Sequence, residues 1–115
     1  MASDIELFPG TLDLLVLNVL TNGPLHGYAI VREIRRRGGE ELSIQEGTLY
    51  PALHRMCRRG WIDAEWGPSE TNRRAKYYSL TPAGRKALRE EITAWERISA
   101  AVSKVLEPAP RAKKA

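Results

Sequence analysis

Two sets of side chains in this sequence could do chemistry, and they overlap. His54 and Cys57 stand three apart, a spacing that on a helix would let an imidazole activate a thiol. No third group orients the histidine, and Cys57 continues an apolar stripe, so a packed, inert thiol is the preferred reading. One cysteine and two histidines, His26 and His54, cannot make an internal disulfide or fill a four-ligand zinc site. Paired carboxylates and a glycine-rich phosphate loop are also missing, so the sequence offers no enzyme site, cofactor or metal. The second set is polar and cationic. Gln45, Thr48, Tyr50, Pro51 and Arg55 fall within one short stretch, and Arg73, Arg74 and Lys76 follow it. Amide, hydroxyl and guanidinium groups of this kind read base edges and neutralise phosphates.

The elements that must position these groups can be read from apolar spacing and its punctuation. Thr11 is placed as the N-cap of a first helix over Leu12 to Thr21, with Leu12, Leu15, Val16, Val19 and Leu20 on its buried stripe. Leu14 and Leu17 lie off that stripe, which calls for a second element or a second chain to cover them. After Asn22-Gly23-Pro24, a second helix runs from Gly27 to Arg37 on Gly27, Ile30, Val31 and Ile34 and stops at Gly38-Gly39. Arg35, Arg36 and Arg37 at its end are read as a solvated, dipole-complementing terminus, with Glu33 pairing to Arg37.

Ser43-Ile44-Gln45-Glu46 fits a capping box and predicts a third helix starting there. Leu49, Leu53, Met56 and Cys57 share one face of it, and Thr48, Ala52, Arg55 and Arg59 are placed on the opposite one; Gly60 ends it. The period then changes to two from Trp61 to Trp66, and a polar turn leads back through Ala75 to Leu80, giving a two-stranded hairpin with a basic tip. Tyr28, Trp61 and Trp66 are assigned to core or hairpin packing. Thr81-Pro82 opens a last helix to about Leu106. On it Leu88, Ile92, Trp95, Ser99, Val102 and Leu106 repeat at coiled-coil spacing, broken once by serine.

The chain has 115 residues, 43% of them hydrophobic and 28% charged, with a net charge of +4. This is an ordinary globular balance with a bias toward anionic partners. No apolar run approaches a bilayer span, and the first six residues lack a signal-peptide pattern, so a cytoplasmic protein without membrane association is expected. Residues 1–80 are read as a DNA-binding unit, 81–107 as a dimerisation helix and 108–115 as a disordered basic tail.

Three helices, a hairpin and a long helix make a mainly α fold with a small β-hairpin, the plan of a winged helix-turn-helix. Its third helix would enter the major groove with Gln45, Thr48, Tyr50, Pro51 and Arg55, while Arg73, Arg74 and Lys76 would touch backbone or minor groove. Gly47-Thr48-Leu49-Tyr50-Pro51-Ala52-Leu53-His54-Arg55-Met56, Gly60-Trp61-Ile62, Tyr77-Tyr78-Ser79-Leu80-Thr81 and Gly23-Pro24-Leu25-His26-Gly27-Tyr28 together resemble the PadR family of regulators. Leu7-Phe8-Pro9-Gly10-Thr11-Leu12-Asp13 and the stretch from Gly67 to Tyr78 resemble an acidobacterial subgroup of it.

The resemblance implies a homodimer joined through a single carboxy-terminal helix and acting as a repressor on an inverted-repeat operator. It further implies that a flat aromatic effector can bind between the halves, and Trp95 is the seam residue able to stack on one. The interface expected on this basis comprises Leu88, Ile92, Trp95, Val102 and Leu106, with Trp95 an anchor first and a ligand platform second. A different class of function stays open at this point: a protein-interaction module that uses the last helix and does not bind DNA specifically.

Overall fold

A backbone turn, not a side-chain cap, starts the first helix. In the computed structural model, which describes residues 10–108, Gly10 takes φ 89° and α1 runs Thr11–Val19, with Thr11 as its first, buried residue. The N-cap expected at Thr11 therefore moves back one position. The buried stripe also shifts: Leu14 and Leu17 are in the core, while Leu12 and Leu15 are only partly covered. The reason is enclosure, since α1 touches three other helices of its own chain, and so two faces are closed internally.

A 3₁₀ turn over Leu20–Asn22 and Gly23, at φ 140°, lead into β1, Leu25–His26. His26 then caps α2, Gly27–Gly38, its Nδ1 accepting from the Ala29 amide at 3.2 Å. Ile30 and Ile34 face the core. Glu33 accepts from both Arg36 and Arg37 at 2.7 Å, so the basic end of α2 is tied to its own carboxylate.

The third helix starts later than the capping box implies. Ile44 is buried and Ser43 is extended, which carries the chain into the core before helix can form. Helix α3 spans Glu46–Arg58 with Gln45 at the cap position, the Gln45 carbonyl accepting from the Thr48 and Leu49 amides at 3.0 Å. Ser43 Oγ instead faces Glu40 Oε1 at 3.4 Å. The other end follows the sequence reading: Gly60 at φ 78° donates to Cys57, and Trp61 donates to Met56, both at 3.0 Å, the Schellman arrangement.

Strands β2, Ile62–Pro68, and β3, Arg74–Leu80, pair antiparallel from Ile62↔Leu80 to Pro68↔Arg74. β1 adds a third strand on the other side of β3 through Leu25↔Tyr78 and His26↔Tyr77, so the order is β1-β3-β2. The expected two-stranded hairpin is thus a three-stranded sheet. Two residues are too short to display a period, so β1 leaves no alternation to read.

Helix α4, Pro82–Leu106, opens at Thr81, whose Oγ1 accepts from the Gly84 amide at 2.9 Å. The same hydroxyl reaches the Gly60 and Trp61 carbonyls at 2.6 and 2.9 Å. Twenty-five residues make a rod of ~37 Å, and only its first half belongs to the core. Leu88 is 6% exposed and Ile92 packs on the core, but Leu106 is 75% exposed. Leu88 and Ile92 are accordingly used inside the chain instead of on a free seam. Past them, the exposed apolar stripe is Trp95, Ile98, Val102, Val105 and Leu106. No described helix is long and apolar enough to cross a membrane. The Leu7-Phe8-Pro9 segment and residues 109–115 of the expected basic tail lie outside the described residues.

Candidate nucleic-acid interface

Helix α3 buries one side and offers the opposite one. Leu49, Ala52, Leu53 and Met56 face the core. At 3.6 residues per turn, the side opposite carries Gly47, Pro51, His54 and Arg58, all exposed. The sequence pattern sets Thr48, Ala52, Arg55 and Arg59 there, and the structure rotates that assignment by about a quarter of a turn. Ala52 is 2% exposed. The Arg55 guanidinium turns back to α1, its Nη2 donating to Asp13 Oδ1 at 2.7 Å. A carboxylate buried on α1 must be paired, so it draws this arginine off the outward face. Thr48, on the same flank, is half-buried.

Gln45, Tyr50 and Pro51 do lie at the surface. The Tyr50 ring leans on Gly27 at the start of α2, where a Cβ would collide with it. Burial, and then the Glu46 carboxylate, push its phenol above the usual range, so it stays a neutral hydroxyl able to donate. Pro51 sits inside the helix and has no N–H, which leaves the Gly47 carbonyl without its helical donor on the exposed side. That oxygen is an acceptor suited to the amino groups of cytosine or adenine in a major groove.

Beside this face, an open groove of about 730 Å³ runs between the start of α2, Tyr50 and the hairpin. Its cations are laid on aromatic rings. Arg32 lies 5.1 Å from the Tyr28 centroid, and Arg74 and Lys76 lie 5.5 and 5.9 Å from that of Trp66. Such stacking holds a cation in place and leaves its N–H edges for a phosphate. Tyr28 at 59% and Trp66 at 55% exposed are groove walls. This corrects the core assignment of Tyr28 and keeps Trp66 as hairpin packing; Trp61 packs against the core under Arg59. Arg73 occupies the turn, where its carbonyl accepts from the Ser69 amide at 2.8 Å. Cys57 is half-buried between α3 and the hairpin, and burial raises its thiol above the usual range, so it remains un-ionised and a poor nucleophile.

A helix with an exposed, polar outer face beside a basic groove and a wing is the geometry of a DNA reader, and comparison decides which kind. The family model for the transcriptional regulator PadR-like family matches residues 16–90. The chain belongs to the PadR-like family. A transcriptional regulator from Clostridium thermocellum has a similar structure, with a TM-score of 0.78 and 34% identity, covering 85% of this chain and 95% of that one. A PadR family transcription regulator from Clostridium difficile is similar at a TM-score of 0.73 and 30% identity, covering 85% of this chain and all of the other. The negative transcriptional regulator PadR of Bacillus subtilis is 28% identical over 75 residues, 65% of this chain and 41% of that protein. This PadR-family protein is therefore a DNA-binding transcription regulator with a winged-helix fold, and not an enzyme.

The surface roles of four residues of this PadR-family chain escape sequence reasoning. Arg32 and Tyr28 stand four apart at the start of α2, and that spacing is the signal which could have paired them. His54 and Arg58, again four apart, extend the line from Gly47 and Pro51. They become visible once Ala52 is counted as core.

Proposed function

We propose that this PadR-family regulator binds an inverted-repeat operator as a homodimer and represses transcription. The observation that carries the reading is the continuity of two surfaces: the outer side of α3, Gly47, Pro51, His54 and Arg58, meets the cationic groove of Arg32, Arg74 and Lys76 through Tyr50, which lines that groove, and through His54, which shares a recess with Tyr50 and Lys76. A duplex along that path would meet Gln45, Tyr50 and Pro51 at base edges. The hairpin cations Arg73, Arg74 and Lys76 would lie on the flanking phosphates. Arg55 is left out of the contact set, because it is committed to Asp13.

The second half of α4 supports dimerisation. Trp95, Ile98 and Val102 follow one another at spacings of three and four and keep 40–52% of their surface exposed in the single chain; a stripe of this kind is suited to burial by a partner helix. Repression follows the name carried by the Bacillus subtilis relative. The test is binding to the region upstream of the protein's own gene at several salt concentrations, with the mass measured in solution. A dimer that prefers this DNA to a scrambled duplex is expected; equal affinity for both rejects the reading.

Effector release forms a separate part of the proposal. The recess beside Trp95, bounded by Gly10, Thr11, Leu14, Glu91, Ala94 and Ile98, holds about 100 Å³, well short of the ~300 Å³ at which ligand pockets begin. A flat aromatic effector therefore needs the second chain to complete its site. Titrating planar aromatic cations should quench tryptophan fluorescence in the dimer and fail to do so in Trp95→Phe; an identical response in the variant removes Trp95 from the effector site.

A further inference from the structure

Asp13 is the charged side chain that this fold takes out of water. Among the described residues no other charged group is as buried, and it stands at 5% exposed on α1 among Leu14, Val16 and Leu17. A carboxylate in such a place needs partners for both oxygens. Oδ1 accepts from Arg55 at 2.7 Å, and Oδ2 faces Arg59 Nη1 at 3.9 Å. Arg55 and Arg59, the residue that caps the end of α3, stand one turn apart, so a single carboxylate holds the last turn of the helix by its flank. Arg59 also lies 5.0 Å from the Trp61 ring centroid. The Trp61 carbonyl in turn accepts from Thr81 at the start of α4.

Stability alone does not require this arrangement, since a buried ion pair replaced by apolar groups of similar volume often leaves a protein as stable or more so. What an ion pair adds is direction. The stripe Leu49, Ala52, Leu53 and Met56 packs through a non-directional force and tolerates small rotations of α3 about its axis; a hydrogen-bonded carboxylate on one flank does not. We infer that Asp13 is a positioning residue for sequence reading: through Arg55 and Arg59 it fixes the rotation of α3, and so the aim of its outer side at base edges, without touching DNA itself. This rests on the DNA-binding reading given above.

The test starts from a duplex selected out of a random-sequence pool by the unaltered full-length chain. Affinities for that duplex and for a scrambled one are then measured with Asp13→Asn, Arg55→Ala and the double variant, at a temperature where circular dichroism shows each to be folded. Each single change should weaken the selected duplex about tenfold, the order of one specific base contact. The scrambled duplex and the salt dependence should be unchanged, and the double variant should lose no more than either single one. A fall of about one in the salt slope for Arg55→Ala would mean a phosphate contact of its own and would overturn the inference, as would additive losses. Full discrimination by folded Asp13→Asn also overturns it. If Asp13→Asn does not fold, Arg55→Lys, which keeps the charge but not the fork geometry, must lose discrimination in its place, and unchanged discrimination overturns the inference. Failure to recover any preferred duplex defeats the underlying DNA-binding reading and this inference with it.

Discussion

A guanidinium stacked on an aromatic ring is held without being neutralised, and the groove of this regulator uses that twice, with Arg32 on Tyr28 and Arg74 on Trp66. On the proposed reading, charges prepared in this way would act on the DNA backbone and not on its sequence. Arg74→Ala and Lys76→Ala should each weaken binding to all duplexes alike and lower the slope of log affinity against log salt by about one. Fluorescence anisotropy over a salt series checks this, and a loss confined to one sequence contradicts it. The clustering of Arg73, Arg74 and Lys76 was legible in the sequence because a charged turn between two strands has few places to go. The direction of Arg55 was not. It depends on Asp13, 42 residues upstream, and helix spacing alone cannot tell which flank a distant carboxylate will claim.

Elements whose ends are set by their neighbours in sequence read well, and those set by tertiary burial read poorly. Gly60 and Thr81-Pro82 carry local hydrogen-bonding instructions that nothing distant overrides. Ser43 carries one too, but burial of Ile44 outweighs a cap worth about 1 kcal/mol. The junction between the two legible ends is tight: a Cβ on Gly84 would run into the Trp61 backbone carbonyl, which cannot swing aside like a side chain. Gly84→Ala should therefore destabilise the protein by about 1–3 kcal/mol despite the better helix propensity of alanine, and thermal denaturation reads the loss.

On α2, hydrogen bonds from Arg36 and then Arg37 hold the Glu33 carboxyl down at about 2. Because its folded value lies below the usual 4.5, the stabilisation is complete above about pH 4.5 and is lost as pH falls toward 2. The difference in melting temperature between the protein and Glu33→Gln should be flat at neutral pH and shrink through that acid window; a constant difference down to pH 2 contradicts it.

At the scale of the whole molecule, the principal extents of 67 × 33 × 22 Å reflect a helix that outruns its own core. The regular spacing from Leu88 to Leu106 made an apolar stripe along α4 legible in outline. It could not show that Leu88 and Ile92 are used in the chain's own core, nor that Ile98 takes the exposed position next to Ser99. Ile98→Asp should leave the winged helix folded but give a monomer by light scattering, with operator affinity sharply reduced; a dimer of unchanged mass would place the interface elsewhere.

The half of α4 beyond Ile92 has a further consequence. It continues a helix whose first half is anchored in the core, so it needs no nucleus of its own, but Trp95, Ile98, Val102, Val105 and Leu106 stay exposed along it. In the proposed dimer a partner helix would cover that stripe, and assembly would then add to the stability of each chain. On that reading the melting temperature should rise with protein concentration, and the amount of regulator would set both how much of the operator is filled and how firmly each molecule is folded; a melting temperature independent of concentration contradicts it.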